Sequence, residues 1–290
     1  TSTTCMYDTV NVVSNISSVD SINLIYWQTS NGVTNNDSAF QIIFSQAGNY
    51  LISLVAGTVN GCFDTTSVNI VVNPLPSISA SANTLICNGD AAILTATSSS
   101  GNYLWGPLVG LSCYTCDTVI ASPTENTTYV VTTVNNFNCR NTDTVFVTVI
   151  QPFTLTISDK DTLCIGDSVV LSAGGATNYT WTPSSTLSCS DCANPIATPE
   201  YTTQYFVIGY DDYNCFSYKD SVEIAVGQYP VVTIDPIPPL ATGTIYPITS
   251  NITNGPIRTF QWRPPTNLDC DDCEIPKATI KRDICYTLEA

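Results

Sequence analysis

The sequence predicts an all-β chain, built as a tandem array of β-sandwich modules that together form an elongated rod. Three observations carry this. Tryptophans fall at 27, 105, 181 and 262, spacings of 78, 76 and 81 residues, which is the signature of a repeat of one supersecondary unit. Segments of alternating apolar and polar residues rich in Val, Ile and Thr recur throughout. No stretch sustains a 3.6-residue apolar period.

The strand segments stand at matching places in each copy. Residues 67–72, 144–149 and 221–226 have the period-two pattern of half-buried strands, as do 50–55 and 129–134. Asn60-Gly61 and Asn135-Asn136 supply residues that tolerate positive φ in the connecting hairpins. Prolines at 74, 152 and 230 close the first three copies. Proline fixes φ and donates nothing to a ladder, so it suits a seam between two sheets. The divisions that follow are 1–74, 75–152, 153–230 and 231–290, the last incomplete at its C-terminal end. One tryptophan and flanking cysteines per unit of about 77 residues describe a sandwich of immunoglobulin-like type.

The last three copies share the string W-x-P-x3-L-x-C-x2-C, at Trp105–Cys116, Trp181–Cys192 and Trp262–Cys273, followed after thirteen residues by Tyr129, Tyr205 and Tyr286. The first copy has Trp27 and Asn60-Gly61-Cys62 but no C-x2-C, and reads as a related module of another subtype.

The thirteen cysteines carry the sharpest signal. The opening cysteine of each of the first three copies is expected to pair with the one at its last hairpin: Cys5 with Cys62, Cys87 with Cys139, and Cys164 with Cys215. Each bond would close a loop of about 50 residues and contribute about 4 kcal/mol in the chain-entropy model. For the C-x2-C pairs Cys113/Cys116, Cys189/Cys192 and Cys270/Cys273, a local loop disulfide leads. A thioredoxin-like redox site needs a helix N-terminus, and a zinc site sits poorly with an acidic, oxidising setting. Cys285 is then left without a partner in this segment.

Composition excludes much. The sequence has no histidine, so it holds no Ser-His-Asp triad and no His-ligated metal. A net charge of −16 argues against nucleic acid as a partner. By module the charge is −4, −3, −7 and −2, a solvated surface and not one acidic tail. No apolar run approaches the ~20 residues of a membrane span, so no membrane insertion is expected. Residues 1–5 lack a basic and an apolar region of the signal-peptide kind, and the chain reads as a mature piece of something longer. No cofactor is expected. Calcium is the one ion that the acidic clusters Asp159/Asp161, Asp211/Asp212 and Asp269–Glu274 would suit, although no EF-hand loop is present. Paired carboxylates for glycoside hydrolysis come with no catalytic string. The Trp and Tyr residues could face a sugar, but at strand positions they belong in the core.

Asp followed by Ser or Thr recurs, with hydroxyls at Thr9, Ser21, Ser38, Thr65, Thr118, Thr144, Thr162, Ser168 and Ser221. The plain reading is a turn residue entering a strand.

The strings Cys87-Asn88-Gly89-Asp90 and Cys164-Ile165-Gly166-Asp167, then Trp-x-Pro…Cys-x2-Cys, Thr-Thr-(Gln)-Tyr and Asn-Cys, resemble the Ig-like modules of giant Bacteroidota surface proteins. Those proteins are exported by the type IX system and include SprB-type gliding adhesins. Copy one, with Gly48-Asn49-Tyr50, resembles a PKD-type module. The resemblance implies a non-enzymatic stalk or filament segment on the bacterial outer surface. Its partners would be further repeats of the same parent or neighbouring copies, and surface polysaccharide. It also makes the nine Asp-Ser/Thr hydroxyls candidate O-glycosylation sites. The alternative is a carbohydrate-binding module array of a secreted protein.

Overall fold

The computed structural model describes residues 2–254 and 259–289. Among them there is no helix; every regular element is a strand. The chain divides into two compact units, Thr1–Gln151 and Pro152–Ala290.

One sheet plan recurs. In copy one an opening strand, Ser2–Cys5, runs parallel to a closing strand, Phe63–Asn73; next come Gly48–Thr58 and the tryptophan strand, Ile22–Thr29. Copy two repeats this order with Thr84–Cys87, Arg140–Ile150, Thr127–Val134 and Leu104–Gly106. Copy three does so with Asp161–Cys164, Ser217–Gly227, Thr203–Tyr210 and Asn178–Thr182. A second, smaller sheet completes copies one and two: Thr9–Val13 with Ala39–Ile43, and Ile78–Ala80, Ala92–Ser98 and Thr118–Ala121. In copy three two short ladders take its place, Thr156–Ile157 with Ala173–Gly174 and Val169–Val170 with Ile196–Ala197. The fold is thus all-β, made of immunoglobulin-like sandwiches. In the fourth copy three two-stranded ladders are described, the last pairing Gln261–Arg263 with Thr287–Glu289.

Alternation creates the cores. Along Thr127–Val134 the residues Tyr129, Val131 and Thr133 point inward and are fully buried, because successive side chains of a strand face opposite ways. Four separate clusters of buried side chains result, each around its own tryptophan. Thr133 is the polar one of the three on that strand. Its hydroxyl pairs with Ser98 at 2.6 Å and donates to Asn102 Oδ1 at 3.2 Å, which offsets the cost of burying it.

The conserved register of Trp and Tyr has a geometric cause internal to the repeat. Trp105 lies opposite Val131, Trp181 opposite Val207 and Trp262 opposite Leu288, in each case two residues after the tyrosine. The tyrosine therefore sits on the same inward face, one step along. Its hydroxyl ties down the loop after the Trp-x-Pro string. Tyr129 Oη donates to Val109 O at 2.6 Å, and Tyr286 Oη to Thr266 O at 2.8 Å. The Tyr205 hydroxyl shares a 2.6 Å bond with Thr186 Oγ1 instead. Burial holds the Tyr129 and Tyr286 phenols above the ordinary tyrosine range.

Replacing Tyr129 by Phe leaves Val109 O without its buried donor while keeping the ring. The expected cost is about 1–2 kcal/mol, read as a shift in the denaturant midpoint with unchanged slope.

Candidate functional site

The chemistry-bearing residues of this chain are its cysteines, and the strands decide which can meet. In each of the first three copies the opening cysteine lies beside the end of the closing strand: Cys5 opposite Asn73, Cys87 opposite Ile150, Cys164 opposite Gly227. The hairpin cysteine lies at or next to its start, since the closing strands begin at Phe63, Arg140 and Ser217. Each closing strand has 11 residues. At ~3.3 Å per residue the two cysteines of one copy are roughly 33 Å apart, whereas a disulfide needs Cα atoms within about 7 Å.

This corrects the expected pairing. Cys5 is bonded to Cys139, with Cα atoms 5.5 Å apart, across the seam between copies one and two. Cys62 and Cys164 are not in disulfides, and both are exposed; Cys87 and Cys215 are disulfide-bonded. Cys285, expected unpaired, is also an exposed free thiol. The Cys5–Cys139 bond closes a loop with a sequence separation of 134. In the chain-entropy model that contributes roughly 5 kcal/mol, more than the expected pairs would.

Both ends of each of the first three modules are built to aim a cysteine. At the far pole, where the opening strand ends, the backbone makes a tight turn in which Asp8 N donates to Cys5 O, Asp90 N to Cys87 O and Asp167 N to Cys164 O, at 3.2, 2.9 and 3.0 Å. The residue before each aspartate has positive φ: Tyr7, Gly89 and Gly166. The Cys-x-Gly-Asp string is this turn, and copy one carries it as Cys5-Met6-Tyr7-Asp8. The turn is pinned to the closing strand by Met6 N to Asn73 O, Asn88 N to Ile150 O and Ile165 N to Gly227 O. In copy three Tyr229 lies at this pole. Its phenol is raised above the ordinary range, by the Asp167 charge first and burial second.

At the near pole the residue before each hairpin cysteine also has positive φ: Gly61, Asn138 and Asn214. The left-handed residue therefore lies directly before the sulfur, not at Asn135-Asn136 as the composition of the turn suggested. Asn135 Oδ1 accepts from Phe137 N and Cys139 N, both at 3.0 Å. Its Nδ2 donates across the seam to Pro74 O at 2.8 Å, and Asn141 Nδ2 donates to Pro76 O at 2.8 Å. The first seam is thus held by one disulfide and one amide bond, and the Asn141–Pro76 bond fixes the start of copy two directly after it.

Asp211 takes the Asn135 position in copy three and is 8% exposed. Its carboxylate accepts from Tyr213 N at 2.8 Å, Cys215 N at 3.2 Å and Phe216 N at 2.6 Å. Burial pushes its pKa up, but these N–H donors together outweigh burial and hold it below the usual value.

The C-x2-C pairs Cys113–Cys116, Cys189–Cys192 and Cys270–Cys273 are disulfides, with Cα atoms 5.9 Å apart in each. Each ring clamps its tryptophan. The indole Nε1 donates at 2.9 Å to the carbonyl of the second cysteine: Trp105 to Cys116, Trp181 to Cys192, Trp262 to Cys273. The same tryptophans' backbone N–H groups bond Tyr114 O, Ser190 O and Asp271 O. In copy one Trp27 Nε1 donates to Asp37 O at 3.0 Å with no disulfide in the loop. A four-residue ring contributes only about 2 kcal/mol, so the bond fixes the loop over the indole more than it stabilises the chain. Asp269, Cys270 and Cys273 lie close enough to hold an ion, but the two sulfurs are joined to each other and offer no thiolate. The redox reading lacks its helix among the described residues.

The acidic clusters are largely engaged with protein donors. Asp212 Oδ1 accepts from Asn178 Nδ2 at 2.8 Å, Asp269 Oδ1 from Lys277 N at 2.6 Å, and Asp271 Oδ2 from Gln261 Nε2 at 3.2 Å. Of the nine Asp-Ser/Thr hydroxyl residues eight are exposed, with Ser221 half-buried. Asp64, Asp143, Asp161 and Asp220 accept from the next residue's N–H at 2.7–2.8 Å. Asp64, Asp143 and Asp220 lie inside strands and not in turns leading into them, whereas Asp161 opens its strand as expected.

No family model matches the chain, and no curated protein matches its sequence. Solved structures that resemble it are fragments of tandem-domain proteins. Extracellular domains 3–5 of Drosophila OTK are 9% identical over 78% of this chain and 94% of that one, with a TM-score of 0.36. The titin I-band fragment I67–I69 is 11% identical over 77% and 94%, with a TM-score of 0.38. Sidekick-1 immunoglobulin domains 1–4 are 12% identical over 97% and 88%, with a TM-score of 0.29. Likeness at this level says nothing of activity or partners. Ten of the thirteen cysteines are disulfide-bonded, which fits an oxidising, extracellular compartment.

The Asp211 contribution is complete above the unfolded-state carboxyl pKa of about 4 and is lost as pH falls through the lower folded-state value. Asp211→Asn keeps one acceptor oxygen and loses the charge. The variant is expected to be less stable at neutral pH but to lose less stability on acidification, as read by thermal melts between pH 6 and pH 2. An unchanged acid slope would count against this account of Asp211.

Proposed function

We propose that the chain is a non-enzymatic segment of the stalk or filament of a large bacterial cell-surface adhesin, giving reach and surface attachment in the manner of gliding-motility adhesins. The single observation that supports it most is the Cys5–Cys139 bond, flanked by the Asn135–Pro74 and Asn141–Pro76 hydrogen bonds. A covalent link plus a polar tie across a proline seam, with a second tie just past it, resists bending and pulling at a place where a flexible linker would yield. The residues that would serve catalysis serve structure instead: the engaged carboxylates hold turns, and the C-x2-C sulfurs hold tryptophans. Burial of Trp105, Trp181 and Trp262 to 1% exposure or less leaves none of these three rings to stack on a sugar, which weighs against the carbohydrate-binding array.

Modules of roughly 33 Å placed end to end span about 130 Å. Small-angle scattering of the oxidised chain is expected to give a radius of gyration near 35–40 Å, by the same module length. One compact globule of this length would give about 19 Å. A value near the latter, or specific binding on a glycan array, would overturn the stalk reading.

A further inference from the structure

We propose that Cys62 is an inter-module cross-linking site: its thiol forms a disulfide with the far-pole cysteine of another module of this same kind docked on the near pole of copy one. The argument starts from the first seam. There the far-pole cysteine of one module, Cys5, is bonded to the near-pole cysteine of the next, Cys139. Cys62 stands in copy one where Cys139 stands in copy two. Each directly follows a residue of positive φ, Gly61 or Asn138. Each accepts at its carbonyl from the first residue of the hairpin, Thr58 N at 2.9 Å and Asn135 N at 3.0 Å. Cys139, with a module against it, is 0% exposed; Cys62 is an exposed free thiol.

A second observation marks the same end. Thr58 occupies the position from which Asn135 reaches across the seam to the Pro74 carbonyl. The Thr58 Oγ1 is buried and has no hydrogen-bond partner among the described residues, which is costly unless a partner arrives. Beside it lies a half-open cavity of about 330 Å³ lined by Ile16, Ser18, Thr58, Cys62, Phe63 and Asp64. The Phe63 side chain at its rim is 66% exposed. A free thiol, an unsatisfied hydroxyl and an uncovered aromatic thus collect where copy two receives its neighbour.

The partner is identified by its chemistry: an exposed cysteine closing an opening strand, within a Cys-x-x-Asp turn. Cys164 is such a cysteine, exposed and free, so copy three presents the complementary half of the same joint. The bond forms by thiol–disulfide exchange with a small disulfide oxidant such as glutathione disulfide. One thiolate displaces a glutathione to give a mixed disulfide, and the second thiolate displaces the other. Two protein thiols and one glutathione disulfide become one protein disulfide and two reduced glutathiones. The inference requires only that modules follow one another, and is independent of any adhesive role.

The test adds a module ahead of residue 1. One chain carries an extra copy of residues 75–152 there, and a second carries an extra copy of residues 153–230. Both are oxidised with glutathione disulfide, alkylated, digested without reduction and mapped by mass spectrometry. The expected result is a peptide linking Cys62 to the added module's far-pole cysteine. Cys62→Ser in the same chains should expose one additional alkylatable thiol, on that cysteine. Alkylation of Cys62 in both chains, whatever the state of the added module, overturns the proposal, as does a bond between the added module's own two pole cysteines.

Discussion

The length of the closing strand constrains everything else in this chain. Eleven extended residues carry the backbone from one end of a sandwich to the other. A cysteine before that strand and a cysteine beside its end are therefore held at opposite poles and cannot reach each other. The parallel pairing of the opening strand with the closing strand makes this unavoidable, because it places Cys5, Cys87 and Cys164 at the end their own hairpins point away from. The only bond such cysteines can make is outward, to a neighbour. A sheet topology thus turns what looks like a stabilising staple within a module into a fastening between modules.

Inside each sandwich a different economy operates. A module of this size has a small core, and here one buried tryptophan dominates it. The indole N–H would be a liability in that core, and a carbonyl eleven residues further along relieves it in the last three copies. The C-x2-C ring holds that carbonyl in place, and the tyrosine hydroxyl holds the loop between them in all three. Copy one reaches the same end with Asp37 O and no ring, so the disulfide is an embellishment of the clamp and not its basis.

Much of this was legible in the sequence. The Trp, Cys and Tyr registers and the period-two segments suffice for an all-β array of sandwiches, because alternation and spacing are local properties. The C-x2-C pairs lie three residues apart and admit a local bond without knowledge of the fold. The long-range cysteine pairing was not legible in the same way. Two cysteines outside any C-x2-C pair in each of the first three copies suggest closure within a copy, and only the parallel placement of the opening strand shows that closure to be sterically barred. The clue present in the sequence was the distance of each cysteine from its closing strand: Cys62 and Cys139 immediately precede one, while Cys5 and Cys87 end a different strand. The role of Asn135 as a cross-seam donor was equally hidden, since its turn-forming character explains its presence without the seam.

The most direct test of this account is a non-reducing peptide map of the oxidised 290-residue chain after blocking of free thiols. The account predicts a fragment joining Cys5 to Cys139, with Cys62 alkylated. A fragment joining Cys5 to Cys62 would contradict it, because the closing strand of copy one could not then run the full length of its sandwich.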